Sequence, residues 1–377
     1  MIALWVRTLA QPDPVPQPGP GWLIVTLLLV TFVLHVLPMN FVLGGSIIAA
    51  VARLRGRAAT RPHHAALTLW LARAMPVAVA AAVTFGVAPL LFLQVLYGRV
   101  FFSSSVLMAG FWLAVVPVLI LAYYGTYLLA YKGAALGRTA VGISWAVALG
   151  FLAIGLVYTS NMTLMLRPDR FAELDRAGGS GLYLNLADPT VAPRFLHMLL
   201  GAVAVAGLAV ALHGWFVRWE RAHFGTWAIR YGASWCAAAT ALNIVAGFWW
   251  VLALPSATLV HVMSQAPAVA LFAGVTTGLV ALALAVFASR AADPLPLLGW
   301  LVAGLLGTVV LMVVTRDQVR THSLVEAGLT PATWVVPQWG PISLFVALLL
   351  AGVATVAWMV KALAEGGGDP GARQPRR

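Results

Sequence analysis

Residues 22–52 read WLIVTLLLVTFVLHVLPMNFVLGGSIIAAVA, thirty-one residues without one Asp, Glu, Lys or Arg and with a single histidine, His35. About 20 such residues span a bilayer as a helix, because lipid offers backbone groups no partner and a helix pairs them internally. The stretch exceeds that need, so its helix must tilt or project beyond the membrane. His35 lies 13 residues inside it, about 20 Å along at ~1.5 Å per residue. A histidine that deep is costly unless it pairs, hydrogen-bonds or holds a metal.

The same pattern recurs near 67–96, 105–131, 139–160, 195–217, 232–254, 266–288, 296–315 and 340–362. The chain is 62% apolar and 9% charged, where soluble domains carry about a quarter charged residues. The expected fold is therefore all-α, a polytopic membrane bundle of about nine helices surrounded by lipid.

Lys and Arg set its orientation, since cytoplasmic flanks hold the excess. Fifteen fall on one side: Arg53, Arg55, Arg57, Arg61, Arg73, Lys132, Arg138, Arg218, Arg221, Arg230, Arg290, Lys361, Arg373, Arg376 and Arg377. Eight fall on the other: Arg7, Arg99, Arg167, Arg170, Arg176, Arg194, Arg316 and Arg320. The N-terminus is thus expected outside and the C-terminus in the cytoplasm. The net charge of +12 is mostly a topology signal and does not call for nucleic acid.

Three segments result: an outer, periplasmic lead over 1–21, a nine-helix domain over 22–362 and a disordered cytoplasmic tail over 363–377. The lead, MIALWVRTLAQPDPVPQPGPG, has too many prolines for a signal peptide and suits a short interfacial helix with an extended approach. Cys236 is the one cysteine, which excludes an internal disulfide, a CxxCH haem attachment and a cysteine-ligated cluster. No internal repeat of the kind many transporters carry is evident.

Two outer connections are long. Residues 161–194 hold Asp169, Glu173, Asp175 and Asp188; residues 316–339 hold Arg316, Arg320, His322, Trp334 and Trp339. Either they cap a site or they are solvated loops with interfacial tryptophans.

The eight histidines sort by depth. In VAPRFLHMLLG, residues 191–201, His197 stands near the outer start of the fifth span, whereas His213 ends that span at the inner face. His261 and His322 flank the outer surface. His63, His64 and His223 lie among inner arginines and suit headgroups or water. His35 is a ligand candidate or makes an interhelical hydrogen bond; His197 is a ligand or a wet interfacial side chain. Zinc wants three or four ligands, and the spans show neither HExxH nor paired carboxylates. Haem needs one or two axial ligands, an apolar slot and cations near its propionates. Arg194 stands three residues before His197, on the same helical face, and Arg316 and Arg320 could add outer charge. Gly44, Gly45 and Gly201 would let a macrocycle approach backbone, or serve ordinary close packing.

Taken in order, these stretches resemble subunit I of the cytochrome bd quinol oxidases over most of the chain, with nine spans in the same orientation. TFVLHVLPMNFVLGGSIIAA is similar to that family's first helix, whose histidine ligates a haem of the oxygen-reducing pair. TFGVAPLLFLQVLYG resembles its second helix, VYTSNMTLMLRPD the stretch after its fourth, and PRFLHMLLGAVAVAG the start of its fifth, whose histidine ligates the low-spin haem b. VVTRDQVRT looks like a degraded GRQPW segment. The resemblance implies His35 and His197 as haem iron ligands, with Arg316 in the place of the GRQPW arginine; Arg194 joins them as a haem-binding candidate by its spacing from His197. The haem at His35 is expected to lie deeper than the haem at His197.

Departures from the family are equally informative. By the same register two family glutamates fall on Val116 and Tyr124, and a haem-ligating glutamate falls near Val313. The low-spin methionine falls near Gly274, and the quinol-oxidising loop has shrunk to PSATLVHVMSQAP. Valine and tyrosine cannot hand on protons as Glu does, so haem without full oxidase activity is expected. His261 either replaces the methionine, making that haem bis-histidine, or is an exposed loop histidine. An inner haem at His213 would carry electrons across the bilayer.

The resulting expectation is a haem b protein with one, two or more haems in a bacterial-type inner membrane. It would pass electrons between the quinone pool and a redox partner, either a cytochrome c or an iron-sulfur protein, beside a second membrane subunit. The alternatives are a true quinol oxidase reducing O2 to water, and a redox-inactive scaffold or transporter subunit.

Overall fold

The structure is a computed structural model describing residues 16–58, 60–176, 181–291, 293–329 and 334–366. Most of the lead over 1–21 and of the tail over 363–377, with the expected interfacial helix and disorder, lies outside the described residues.

Eight helices are long and apolar enough to cross a membrane: α1 (Gly21–Arg55), α2 (Pro62–Leu107), α3 (Ala109–Lys132), α4 (Thr139–Leu164), α5 (Val191–Val217), α6 (Ala222–Leu252), α7 (Gln265–Arg290) and α8 (Leu295–Glu326). A ninth, α9 (Trp339–Gly366), opens with the shorter apolar stretch Trp339–Thr355. The protein is an all-α, multi-pass membrane bundle. The ends called outer and inner below follow from the arginine distribution.

Helices α1–α4 pack as one four-helix group and α5–α8 as another, joined chiefly along α1 and α5. Helices gain no hydrophobic free energy from each other in lipid, so association relies on close packing and small residues. Gly44 of α1 shows this: a Cβ there would collide with the backbone of Ala202 and Val203 on α5. Helix α9 is peripheral and meets α2 where Phe345 packs edge-on against Phe92, centroids 5.2 Å apart.

Each group has an outer and an inner apolar cluster. In α1–α4 the outer one centres on Ile24, Leu28, Leu93, Leu96 and Phe101, the inner one on Val42, Leu43, Met75, Val79 and Phe151. In α5–α8 the inner cluster holds Leu208, Ile229, Ala281, Leu301 and Leu305, and the outer one Trp250, Val251, Leu271 and Val319. Along α1, His35 falls between the two clusters of its group, and His197 faces α6 at Asn243 and Gly247, between the clusters of the other.

Several expected boundaries change. The connection read as 161–194 shrinks to 165–190, because α4 runs on to Leu164 and α5 begins at Val191. Asp188 then accepts hydrogen bonds from the Thr190 N–H at 2.9 Å and its hydroxyl at 2.7 Å, satisfying donors at the start of α5. Phe171 of this connection is buried in the outer cluster of α1–α4.

The segment read as a loop over 316–339 is helical as far as Glu326. No Gly or Pro interrupts VVTRDQVRTHSLVEA, and the helix stops only at Gly328. That glycine takes φ +74°, with Leu329 N–H donating to Leu324 O at 2.9 Å and Gly328 N–H to Val325 O at 2.9 Å. Arg316, Arg320 and His322 are therefore held on a helix.

Helix α2 is longer than its expected span because it continues past a break at Tyr97, φ −132° and ψ 27°. At the outer surface Gln17 bridges Val335 through backbone bonds of 2.9 and 3.0 Å, tying the lead to the approach to α9.

Candidate functional site

The same device holds both histidines. His35 of α1 lays its ring across α2, its Nδ1 2.9 Å from Ala82 O. Four residues on, Gly86 leaves room for that ring: a Cβ there would sit 2.8 Å from His35 Cε1 and 3.0 Å from Nδ1. His197 of α5 repeats this on α6, with Nδ1 3.1 Å from Asn243 O and a Cβ at Gly247 placed 3.1 Å from both Cε1 and Nδ1. A carbonyl only accepts, so Nδ1 carries the proton and the neutral ring keeps its lone pair on Nε2. A backbone acceptor behind one ring nitrogen is the usual orienting partner of a metal-binding histidine.

The two histidines lie at similar depth. From the Gly44–Ala202 crossing, His35 is nine residues toward the outer end of α1 and His197 five residues toward that of α5. At ~1.5 Å per residue these are about 13.5 and 7.5 Å. His35 is thus about a turn nearer the outer end.

Above the histidines, cations converge. Arg194 is in α5, on the same face as His197, and Arg316 and Arg320 follow one another at four-residue spacing on α8. The three guanidinium groups lie within electrostatic reach of one another, and Arg316 also of His35. Each is steadied by an aromatic face: Arg194 over Trp250 at 5.5 Å, Arg316 over Phe32 at 4.6 Å and Arg320 over Tyr97 at 5.1 Å. Tyr97, at the break in α2, has its hydroxyl 3.4 Å from that of Thr321 on α8. Arg320 pairs with Asp317, and Arg194 donates to Thr163 Oγ1 at 3.3 Å and to Met162 O at 3.4 Å. Arg316 makes no ion pair among the described residues. Buried donors Arg320 Nε and Trp250 Nε1 find no acceptor among those residues either.

Among the described residues no three His, Cys, Asp or Glu side chains gather as metal ligands. Single oriented imidazoles between apolar clusters, glycine under each ring, and unpaired donors with excess positive charge on the outer side fit a flat, iron-bearing macrocycle with acidic side groups. Haem has that shape and charge.

The other candidates have different surroundings. His261 sits on the short helix Ser256–Val262 and stacks on His322, centroids 4.0 Å apart and 19° between planes. Desolvation there, and then the charge of His322, hold the His261 pKa below its usual value. His213 lies flat on Trp70, 4.1 Å away at 6°, with Phe224 edge-on and with Trp227 and Tyr231 beside His63 and His64. Stacked rings fill that inner end, and no hydrogen bond orients His213 among the described residues.

Val116 and Tyr124 face away from the bundle, 59% and 72% exposed. The loss of acid is nevertheless general. No Asp or Glu occurs between Asp13 and Asp169, and Asp317 and Glu326 are the only ones within α5–α8.

The residues missed by sequence reasoning are Gly86, Gly247, the carbonyls of Ala82 and Asn243, Tyr97 and Trp250. Glycine inside a long apolar run was their only trace, and packing glycines look the same.

Fold and site thus define an all-α membrane bundle built as two four-helix groups with one oriented histidine in each. No family model and no curated protein matches the sequence. Among solved structures the chain is similar to one chain in the structure of bd oxidase from Geobacillus thermodenitrificans, with TM-score 0.70 at 13% identity over 93% of this chain and 99% of that one. The protein has the bd oxidase fold.

Proposed function

We propose that the protein is a haem b-binding electron-transfer subunit of a bacterial-type inner membrane, exchanging electrons between the quinone pool and a redox partner. The observation that carries this is the repeated histidine device: a ring with its Nδ1 on a facing carbonyl, over a glycine of the neighbouring helix. His35 and His197 would hold the iron, and Arg194 and Arg316 the propionates, with Arg320 and Trp250 as further donors. Bound haem would supply one-electron chemistry.

The protein's own residues orient the ring nitrogens, exclude water with the clusters above and below, and raise local positive charge. That charge favours the reduced, more negative state of a bound redox group. The spans hold almost no carboxylate, so proton delivery to oxygen has no acidic relay, and transfer to a partner is the better reading than O2 reduction. A cytochrome c or iron-sulfur protein at the outer face, and a second membrane subunit, complete the scheme.

Reduced-minus-oxidised spectra of purified wild type, His35→Ala and His197→Ala test it. Haem absorption is expected in the wild type, and each variant should lose a distinct share. A colourless wild-type protein purified from haem-replete cells would falsify the proposal.

A further inference from the structure

We propose that the inner junction of the α1–α2 and α5–α6 turns binds the headgroup of a two-phosphate phospholipid, a cardiolipin-type lipid of the inner leaflet. This goes beyond the electron-transfer reading and does not depend on it.

The inner charge is unevenly spread. Residues 55–61 carry Arg55, Arg57 and Arg61, and residues 218–221 carry Arg218 and Arg221 with Glu220 as their one acid. The other inner turns are poorer: 132–138 holds Lys132 and Arg138, and 290–294 holds Arg290 offset by Asp293. A cytoplasmic excess of cations accounts for their side of the membrane and gives no reason to gather five on two turns. Ion pairs among the described residues all lie at the outer end, so none of these five arginines has a carboxylate partner there.

The fold brings the two turns together. His63, in the first turn of α2, packs on Phe224 and Trp227 of α6 with ring centroids 5.9 and 5.3 Å apart, and His213, near the end of α5, stacks on Trp70 of α2. Both turns are tight. A Cβ at Gly56 would lie 2.9 Å from Ala65 N, and one at Gly225 would lie 2.7 Å from Arg218 Cα. Two cation groups therefore flank a stiff layer of rings, with Arg55 and Arg61 in electrostatic reach of His64, and Arg221 of His213.

Arg218 is fixed further. It lies over Trp215 at 4.8 Å and Trp219 at 4.4 Å, and it donates to the Trp215 carbonyl. Its Nε is buried without an acceptor among the described residues, and His64 Nε2 and Tyr231 Oη nearby are buried without a partner there. A phosphate oxygen is the strong acceptor such a junction lacks.

The surroundings favour a lipid over a soluble phosphate. Leu54, Phe216 and Trp219 are exposed beside the arginines, giving acyl chains and glycerol an apolar surface next to the charge. One cation group from each turn matches two phosphates joined through one glycerol, whereas a single phosphate leaves one group uncompensated. Basic pockets between spanning helices on the cytoplasmic side have this chemistry.

The experiment uses the purified, delipidated full-length protein as wild type, Arg57→Gln/Arg61→Gln, Arg218→Gln/Arg221→Gln and Lys132→Gln/Arg138→Gln. Each is titrated in mixed micelles with tetraoleoyl cardiolipin, with dioleoyl phosphatidylglycerol at equal charge, and with inorganic pyrophosphate. Retained lipid is counted by native mass spectrometry, and the thermal unfolding midpoint is followed alongside. The wild type should retain and be stabilised by cardiolipin, bind phosphatidylglycerol more weakly and ignore pyrophosphate. A cation at the membrane surface is worth about fivefold in affinity for anionic lipid, so each junction variant should bind cardiolipin about 25-fold more weakly. The Lys132→Gln/Arg138→Gln protein, which loses the same charge from another inner turn, should match wild type. Should a double variant fail to fold, the single variants Arg57→Gln and Arg221→Gln are read instead, each with an expected loss of about fivefold. An equal loss in the Lys132→Gln/Arg138→Gln control reduces the effect to diffuse charge and overturns the site. Equal binding of phosphatidylglycerol overturns the two-phosphate match, and equal stabilisation by pyrophosphate overturns the lipid source. A wild type that retains no cardiolipin overturns the proposal whether or not it carries haem, and a colourless protein that retains it overturns only the haem reading.

Discussion

At the residue scale, the site depends on what is missing beneath each imidazole as much as on the imidazole. Gly247→Ala places a methyl 3.1 Å from His197 Cε1 and Nδ1, tight enough to push the ring off the Asn243 carbonyl. Loss of such an orienting partner typically costs about 10–100-fold in metal affinity, so haem retained per protein after detergent washing should fall about tenfold. Gly142→Ala is the control, because its methyl would meet nothing within 4 Å. Equal haem content in the Gly247→Ala and wild-type proteins would contradict the orienting role. Of these parts, His35 was legible because a histidine deep in an apolar run is costly without a partner, and His197 through the resemblance of PRFLHMLLG to the bd oxidase fifth helix. Their acceptors were not, since a backbone carbonyl leaves no mark in a sequence.

At the element scale, the α1–α5 crossing sets how the two groups meet and hence the depth of both histidines. Gly44→Val would drive a branched side chain into the α5 backbone at Ala202. Overpacking of this kind costs about 1–3 kcal/mol, so the thermal unfolding midpoint in detergent should drop clearly. At the adjacent Gly45 the nearest neighbour is the flexible end of Met75, 3.4 Å away. Gly45→Ala should stay close to wild type, and equal midpoints for Gly44→Val and wild type would show that the crossing is not close-packed. Helix existence was readable from apolar run length. Helix ends were not: α8 runs three turns past its apolar segment, as polar TRDQVRT propagates a helix as readily as apolar residues do until Gly328 stops it. The break at Tyr97 was also hidden, as LQVLYG contains no proline.

At the scale of the whole molecule, the arginine asymmetry predicts a C-terminus in the cytoplasm. A C-terminal fluorescent-protein fusion should glow and a C-terminal alkaline phosphatase fusion should be inactive, while phosphatase inserted in the 165–190 connection should be active. The opposite pattern would invert the outer and inner assignments and move the arginine cluster to the cytoplasmic face. The nearly acid-free spans act at the same scale, because they bear on proton supply whichever register is chosen for individual positions.

Composition and run length were enough to determine an all-α membrane bundle of about nine helices, because lipid leaves the backbone few choices. The sign and placement of charge gave its expected orientation, depth singled out His35, and the resemblance to the bd oxidases added His197. Tertiary structure decided which helix each histidine faces, that both lie at nearly one depth, that Arg194, Arg316 and Arg320 converge, and that the α1–α2 and α5–α6 turns meet. These are relations between helices. They depend on crossing points such as Gly44–Ala202 and on ring contacts such as Trp70–His213, and in lipid such contacts come from shape and a few polar groups rather than from a hydrophobic pattern along the chain.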